Sequence, residues 1–227
     1  MSTTIDVIPV ATLDITFGEV LVKATQRIQD RLATLGIHEP IRLHVNIHKN
    51  DESVVREVAS GDQFLWSDDE YAWFSVNGKA GGTDAYMESL ERGDIEADEP
   101  WWYLKYIIEN NRSVPDLEQK FERAKRINKR MYFRRSAGQS GLIALCYGLI
   151  AGSVAELTDG ILWSDDGAWS MKNYPAEYKS FFEWYFVPDR ALRDEDREWA
   201  ERCLQGIGED LLEPIPVQAL KPWWRFW

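Results

Sequence analysis

GLIALCYGLIAGSVAEL, running from Gly141 to Leu157, decides how this chain folds. It holds no charged residue before Glu156, and Asp159 follows just beyond its end. A helix that crosses a bilayer needs ~20 consecutive apolar residues. The uncharged part falls short of that, so the stretch reads as a buried central helix. A helix with no polar face has to be wrapped on every side. The glycines in and before it, Gly138, Gly141, Gly148 and Gly152, would let other elements come close to its backbone.

Outward from this helix the periodicities alternate between strand and helix. Thr3 to Val10 reads as a first strand, and Gly18 to Leu35 as a helix with Val20, Leu21, Ala24, Ile28, Leu32 and Leu35 on one face and Gly36 as its stop. Ile41 to His48 alternates Ile41, Leu43, Val45 and Ile47 with Arg42, His44, Asn46 and His48, the pattern of a half-exposed strand. A short segment follows at Val54 to Val58. Gly82 to Leu90 reads as a short helix. Ser113 and Pro115 open a long helix through about Arg135, with Leu117, Phe121, Ala124 and Met131 on its apolar face. Two more helices are expected near Ala176 to Phe186 and from Asp194 to Leu212. The expected class is α+β: an antiparallel sheet with hairpins packed against several helices around the central apolar one. Residues 1–227 form one domain in this reading, with lobes 1–112 and 113–227 as the alternative division.

One short stretch is written twice: LWSDDEYAW at Leu65 to Trp73 and LWSDDGAW at Leu162 to Trp169. Asp folds back onto its own backbone in turns and Gly167 tolerates positive φ, so both copies read as tight hairpins. Their spacing hints at duplication, but the flanking sequence does not repeat.

Of 227 residues, 44% are hydrophobic and eleven are Trp, and the formal net charge is -12. That charge repels nucleic acid and anionic membrane surfaces and attracts a basic protein. It is also segregated. Asp51 to Pro100 carries 14 acids against three bases, whereas Glu118 to Arg135 carries eight bases against two acids. Lys120, Arg123, Lys125, Arg126, Lys129 and Arg130 could follow a phosphate backbone, but the rest of the chain opposes them. The N-terminus has no basic region ahead of an apolar stretch, so a cytoplasmic protein is expected. Cys146 and Cys203 match no metal or redox spacing and read as buried free thiols.

Catalytic signals are weak. Asp68, Asp69, Asp165 and Asp166 pair with no calcium-loop spacing, and adjacent acids on a turn point apart. His44 and His48 share a strand face but stand about 13 Å apart by strand rise, too far to chelate one ion. No Gly-x-Ser-x-Gly elbow occurs. Ser136 and Ser140 in RRSAGQSG suit helix capping, and GKAGG at Gly78 to Gly82 misses the phosphate-loop pattern. No catalytic residue, cofactor or metal is therefore assigned. A hydrolase using the paired aspartates is the alternative, and a structural part of an assembly associating through the KPWWRFW tail is a third reading. The features that fit together are acids beside aromatic anchors, which suit protein binding. The partner-binding set is Trp66, Asp68, Asp69, Glu70, Tyr71, Trp73, Asp84, Tyr86, Asp165 and Asp166.

ELTDGILWSDDGAW, Glu156 to Trp169, resembles a pattern of small bacterial immunity proteins of polymorphic-toxin and type VI secretion systems. There an apolar helix ending in a Leu-Thr-x-Gly stop leads into a hairpin bearing a Trp. The resemblance covers Gly138 to Met171 and carries over no functional residue. It implies a stand-alone cytoplasmic inhibitor that binds one cognate toxin, basic at its contact surface, and blocks it by occlusion.

Overall fold

The computed structural model describes residues 2–49, 55–76, 79–91, 100–111, 113–166, 168–169 and 171–212. Eight strands, β1 (Thr3–Ile8), β2 (Leu43–Lys49), β3 (Val55–Glu57), β4 (Glu70–Val76), β5 (Thr83–Glu88), β6 (Arg130–Arg135), β7 (Ile161–Trp163) and β8 (Ala176–Glu177), form one sheet. Their order is β3-β2-β4-β5-β6-β1-β7-β8, and every neighbouring pair is antiparallel. The described helices are α1 (Phe17–Thr34), α2 (Trp102–Glu109), α3 (Leu117–Ile127), α4 (Gly141–Thr158), α5 (Tyr178–Trp184) and α6 (Asp194–Leu212). The fold is α+β, as expected. β6 lies between β5 and β1, so strands from both halves of the sequence alternate within the sheet.

Successive residues of a strand face opposite sides, and here one side is apolar throughout. Ile5, Val7, Val45, Ile47, Phe74, Val76, Ala85, Met87, Met131 and Phe133 are all buried there. α4 packs on β1, β6 and β7, and α1, α5 and α6 pack around α4. Three glycines make this possible. A Cβ on Gly148 would lie 2.5 Å from Cε1 of Tyr185, one on Gly152 2.7 Å from the Phe182 ring, and one on Gly141 within 3.0 Å of the Cys203 backbone. Gly138 does something else: its φ of +78° turns the chain from β6 into α4. By length and composition α4 could cross a membrane, but 83% of that window is buried inside the protein.

Polar groups fix the helices in place. Thr16 and Glu19 form a reciprocal capping box at the start of α1, and the Ser140 hydroxyl accepts from Ile143 N at the start of α4. Lys23 and Arg27 on α1 reach Glu156 on α4 at 3.2 and 2.8 Å. The Arg31 guanidinium donates to the carbonyls of Phe182 within α5 and Tyr185 just beyond it.

Several expected elements differ. Gly82 to Leu90 is not a helix but contains β5, with Thr83, Ala85 and Met87 facing the core. The long helix from Ser113 ends at Ile127. Asn128 takes a left-handed φ of 52° there, and the chain re-enters the sheet as β6. Neither LWSDD copy is a tight hairpin. In the first, Phe64 N donates to Ile15 O at 2.8 Å, so FLW runs beside the entry to α1, and only the segment after the turn is a strand. In the second, the strand precedes the turn and pairs with the distant β8. Gly167 and the KPWWRFW tail lie outside the described residues.

Candidate functional site

The second side of the sheet is divided. Over β1 and β7 it is covered by α2: Tyr103 donates from its hydroxyl to Asp6, and Tyr106 meets Trp163 edge-on at 5.8 Å. α3 continues this cover toward β8, where Lys120 pairs with Glu177. Arg130 stacks on Tyr103 at 4.6 Å and donates to Glu88 at 3.1 and 2.7 Å, with Asp6 3.8 Å away. Over β2, β4, β5 and the outer half of β6, no described helix lies on the sheet, and most outward residues there are half-buried, with Asp84 buried and His44 exposed.

Strand register determines what that open half presents. His48 lies opposite Tyr71, Tyr86 opposite Tyr132, and the β4–β5 register, with Ala72 opposite Ala85, sets Tyr71 across from Tyr86. The four rings form a ladder: His48–Tyr71 at 5.1 Å, Tyr71–Tyr86 at 5.5 Å and Tyr86–Tyr132 at 4.7 Å, with interplanar angles of 16°, 30° and 12°. Near-parallel rings so close together must overlap face to face, because rings lying flat side by side could not approach that far. They stand upright on the sheet, their inner faces spent on one another. What the ladder offers outward is ring edges and phenol hydroxyls. The Tyr71 and Tyr132 hydroxyls make no hydrogen bond among the described residues, whereas Tyr86 donates to Asp84 at 3.2 Å. Burial holds all three phenols above their ordinary range, Tyr86 at about 12, so they stay protonated donors.

Trp73 sits beside the ladder with its indole against Gly82, where a Cβ would come within 2.7 Å of the ring. Asp84 is buried, and Arg134 holds it, with Nε at 2.8 Å, while also lying over the Tyr86 ring at 5.6 Å. Its charge is therefore met within the face. His48, at the end of the row, has its imidazole pKa lowered by burial.

The ten expected partner-binding residues do not form one cluster. Tyr71, Trp73, Asp84 and Tyr86 share the open face. Trp66 does not: at 4% exposure it is packed against Phe64 and Phe17 at 5.0 and 6.1 Å. Asp68, Asp69 and Glu70 form the turn at the foot of β4. Ser67 donates there to Asp69 and Glu70 at 2.6 and 3.0 Å, which holds the Asp69 carboxyl below its usual range. Glu70 also faces Arg56 on β3 at 3.7 Å. Asp165 and Asp166 lie at the opposite end of the sheet. Asp166 accepts from both the amide and hydroxyl of Thr4 at 2.7 Å and pins the start of β1. The two aspartate pairs thus face no common point, and His44 and His48 stay apart on β2. Among the described residues no group of acids, histidines and cysteines is placed to hold a metal ion.

Sequence reading missed Tyr132, Arg134 and His48 as members of this face. The alternation of Met131 and Phe133 with Tyr132 and Arg134 was the available signal for the first two, hidden by the preceding basic helix. Comparison with known protein families, with curated proteins and with solved structures finds no match to this chain.

Proposed function

We propose that this chain is a bacterial immunity protein that captures a cognate secreted toxin on the open tyrosine face of its sheet and neutralises it by occlusion. The observation carrying the proposal is the ladder itself: upright rings with protonated hydroxyls, those of Tyr71 and Tyr132 without a hydrogen bond among the described residues, on a side of the sheet that no described helix covers. Tyrosine edges of this kind give large contact area with donors attached, at little conformational cost. Ladder geometry also favours a protein over the main alternatives. Bases and sugars bind flat ring faces, and here all but the outermost faces, those of His48 and Tyr132, are occupied by one another. A net charge of -12 opposes nucleic acid further and steers a basic protein toward the molecule. The acidic turn Asp68–Asp69–Glu70 borders the face and adds to that attraction. The resemblance of Glu156 to Trp169 to immunity proteins supplies the class of partner, the type VI secretion context and the cytoplasmic location.

The test pairs the purified chain with the secreted toxin encoded beside it in its native genome. Wild type should form a stable complex and restore growth of cells expressing the toxin. Tyr71→Ala, Tyr86→Ala and Tyr132→Ala together should abolish both, while Asp165→Asn with Asp166→Asn should leave both intact. A neighbouring metabolic operon in place of a toxin gene, or full protection by the triple variant, would overturn the proposal.

A further inference from the structure

On the helix-covered side of the sheet lies a cavity of about 110 Å³. Its floor is Tyr147, Trp169 and Tyr185, all buried, and its rim is Thr3, Arg135, Asp196 and Trp199, all half-buried. With ~30 Å³ per liquid water, that volume holds roughly three or four waters or one small anion.

Most polar groups of the lining are already engaged. Tyr185 donates to Ala144 O at 2.6 Å and the Trp169 indole to Trp184 O at 3.0 Å. Both Asp196 oxygens accept from Arg193, at 2.6 and 2.9 Å. Asp166 is another nearby carboxylate, since its charge reaches Tyr147, and its oxygens accept from Thr4 and Ser164; Asp210, which together with Arg135 acts on Cys203, accepts from Leu142 N. Tyr147 and Thr3 share one hydrogen across 3.2 Å, which leaves the second hydroxyl hydrogen of the pair to donate elsewhere.

Arg135 is the exception. It forms no hydrogen bond and no ion pair among the described residues, its Nε is buried without a partner there, and its guanidinium lies over the Trp199 ring at 5.4 Å. A guanidinium is charged at every accessible pH and presents five donors in a planar fork. Buried donors are almost always satisfied, so one left open beside a cavity needs an acceptor.

We propose that this cavity binds a small oxyanion, gripped by the Arg135 fork and the free hydroxyl hydrogen of the Thr3–Tyr147 pair, beside the indoles of Trp169 and Trp199, which pack on each other at 6.4 Å. Carboxylate and phosphate oxygens both match the fork. Asp196 is already paired with Arg193 and Asp166 lies nearby without a cation among the described residues, so the site does not suit a multiply charged anion, which favours a monocarboxylate. The site lies on the other side of the sheet from the tyrosine ladder, so it stands or falls apart from toxin capture.

The experiment titrates the full chain with sodium acetate and, separately, with inorganic phosphate, at constant ionic strength set by chloride. Binding is read by calorimetry and by tryptophan fluorescence, to which Trp169 and Trp199 report. A saturable response to acetate assigns a carboxylate, and one to phosphate assigns a phosphate-like ligand. Either supports the site if Arg135→Gln weakens it at least tenfold and Arg135→Lys weakens it less. Absence of a saturable response to both anions in wild type overturns the proposal without reference to any variant. A response that Arg135→Gln retains in full overturns it as well.

Discussion

Replacing glycine by alanine should act with opposite sign at two helical positions. In a helix interior the change gains about 1 kcal/mol from propensity. At Gly206 in α6 nothing lies within 4 Å of the added Cβ, so the gain stands. At Gly148 in α4 the Cβ would meet Tyr185 Cε1 at 2.5 Å, with Cζ and Oη closer still. That ring has nowhere to go. It is fully buried, stacks on Phe181 at 4.7 Å, meets Phe186 at 5.4 Å, and is tethered through its hydroxyl to Ala144 O. Overpacking costs about 1–3 kcal/mol and the lost hydrogen bond about 1 kcal/mol. Set against the propensity gain, Gly148→Ala should be destabilised by about 2 kcal/mol. For a chain of this size that lowers the midpoint by about 4–8 °C, whereas Gly206→Ala should raise it by about 2–4 °C. Thermal unfolding followed by circular dichroism measures both. If Gly148→Ala melts at or above wild type, the close packing of α4 on Tyr185 is refuted.

Burial pushes the Asp6 carboxyl up to about 7 against the pull of Arg130, so its ionisation opposes folding and its penalty grows as pH rises from about 4 to about 7. Asp6→Asn removes that titration; its melting temperature relative to wild type should become more favourable between about pH 5 and pH 8, and a constant difference would contradict this. Trp66→Ala should cost about 3–5 kcal/mol in denaturant unfolding, because its ring is packed between Phe17 and Phe64; a loss below about 1 kcal/mol would mean the ring is not in the core. Burial also raises both thiols, Cys146 beyond reach of solvent and Cys203 half-buried. Cys203 should therefore react first with a thiol reagent, and Cys146 only on unfolding; equal rates in the native protein would argue against the packing around α4.

Sequence resolved the elements whose periodicity is strong. α1 carries an apolar stripe and a glycine stop, α4 an apolar run, and β2 a full alternation, and each was found within a few residues of its bounds. β5 escaped because its inward residues Thr83 and Ala85 are small and give a weak period of two. β6 escaped because it follows a basic helix directly, and the only stop is Asn128, a residue that tolerates left-handed φ without demanding it. The repeated LWSDD stretch misled for a different reason. Turn chemistry is local, but which flank becomes a strand is decided by partners far away in sequence, Ile15 for one copy and Ala176 for the other. The tyrosine ladder was half legible. Tyr71, Trp73 and Tyr86 were singled out, yet their alignment with His48 and Tyr132 exists only once β2, β4, β5 and β6 lie side by side.

Binding of the proposed toxin partner by a variant that keeps every ring but loses the two hydroxyls without a hydrogen bond among the described residues, Tyr71→Phe with Tyr132→Phe, tests the outward-facing phenol edge most directly. Two hydrogen bonds at about 1 kcal/mol each predict a dissociation constant roughly thirtyfold weaker than wild type by calorimetry. Unchanged affinity would mean that the ladder's edges are not what the partner touches.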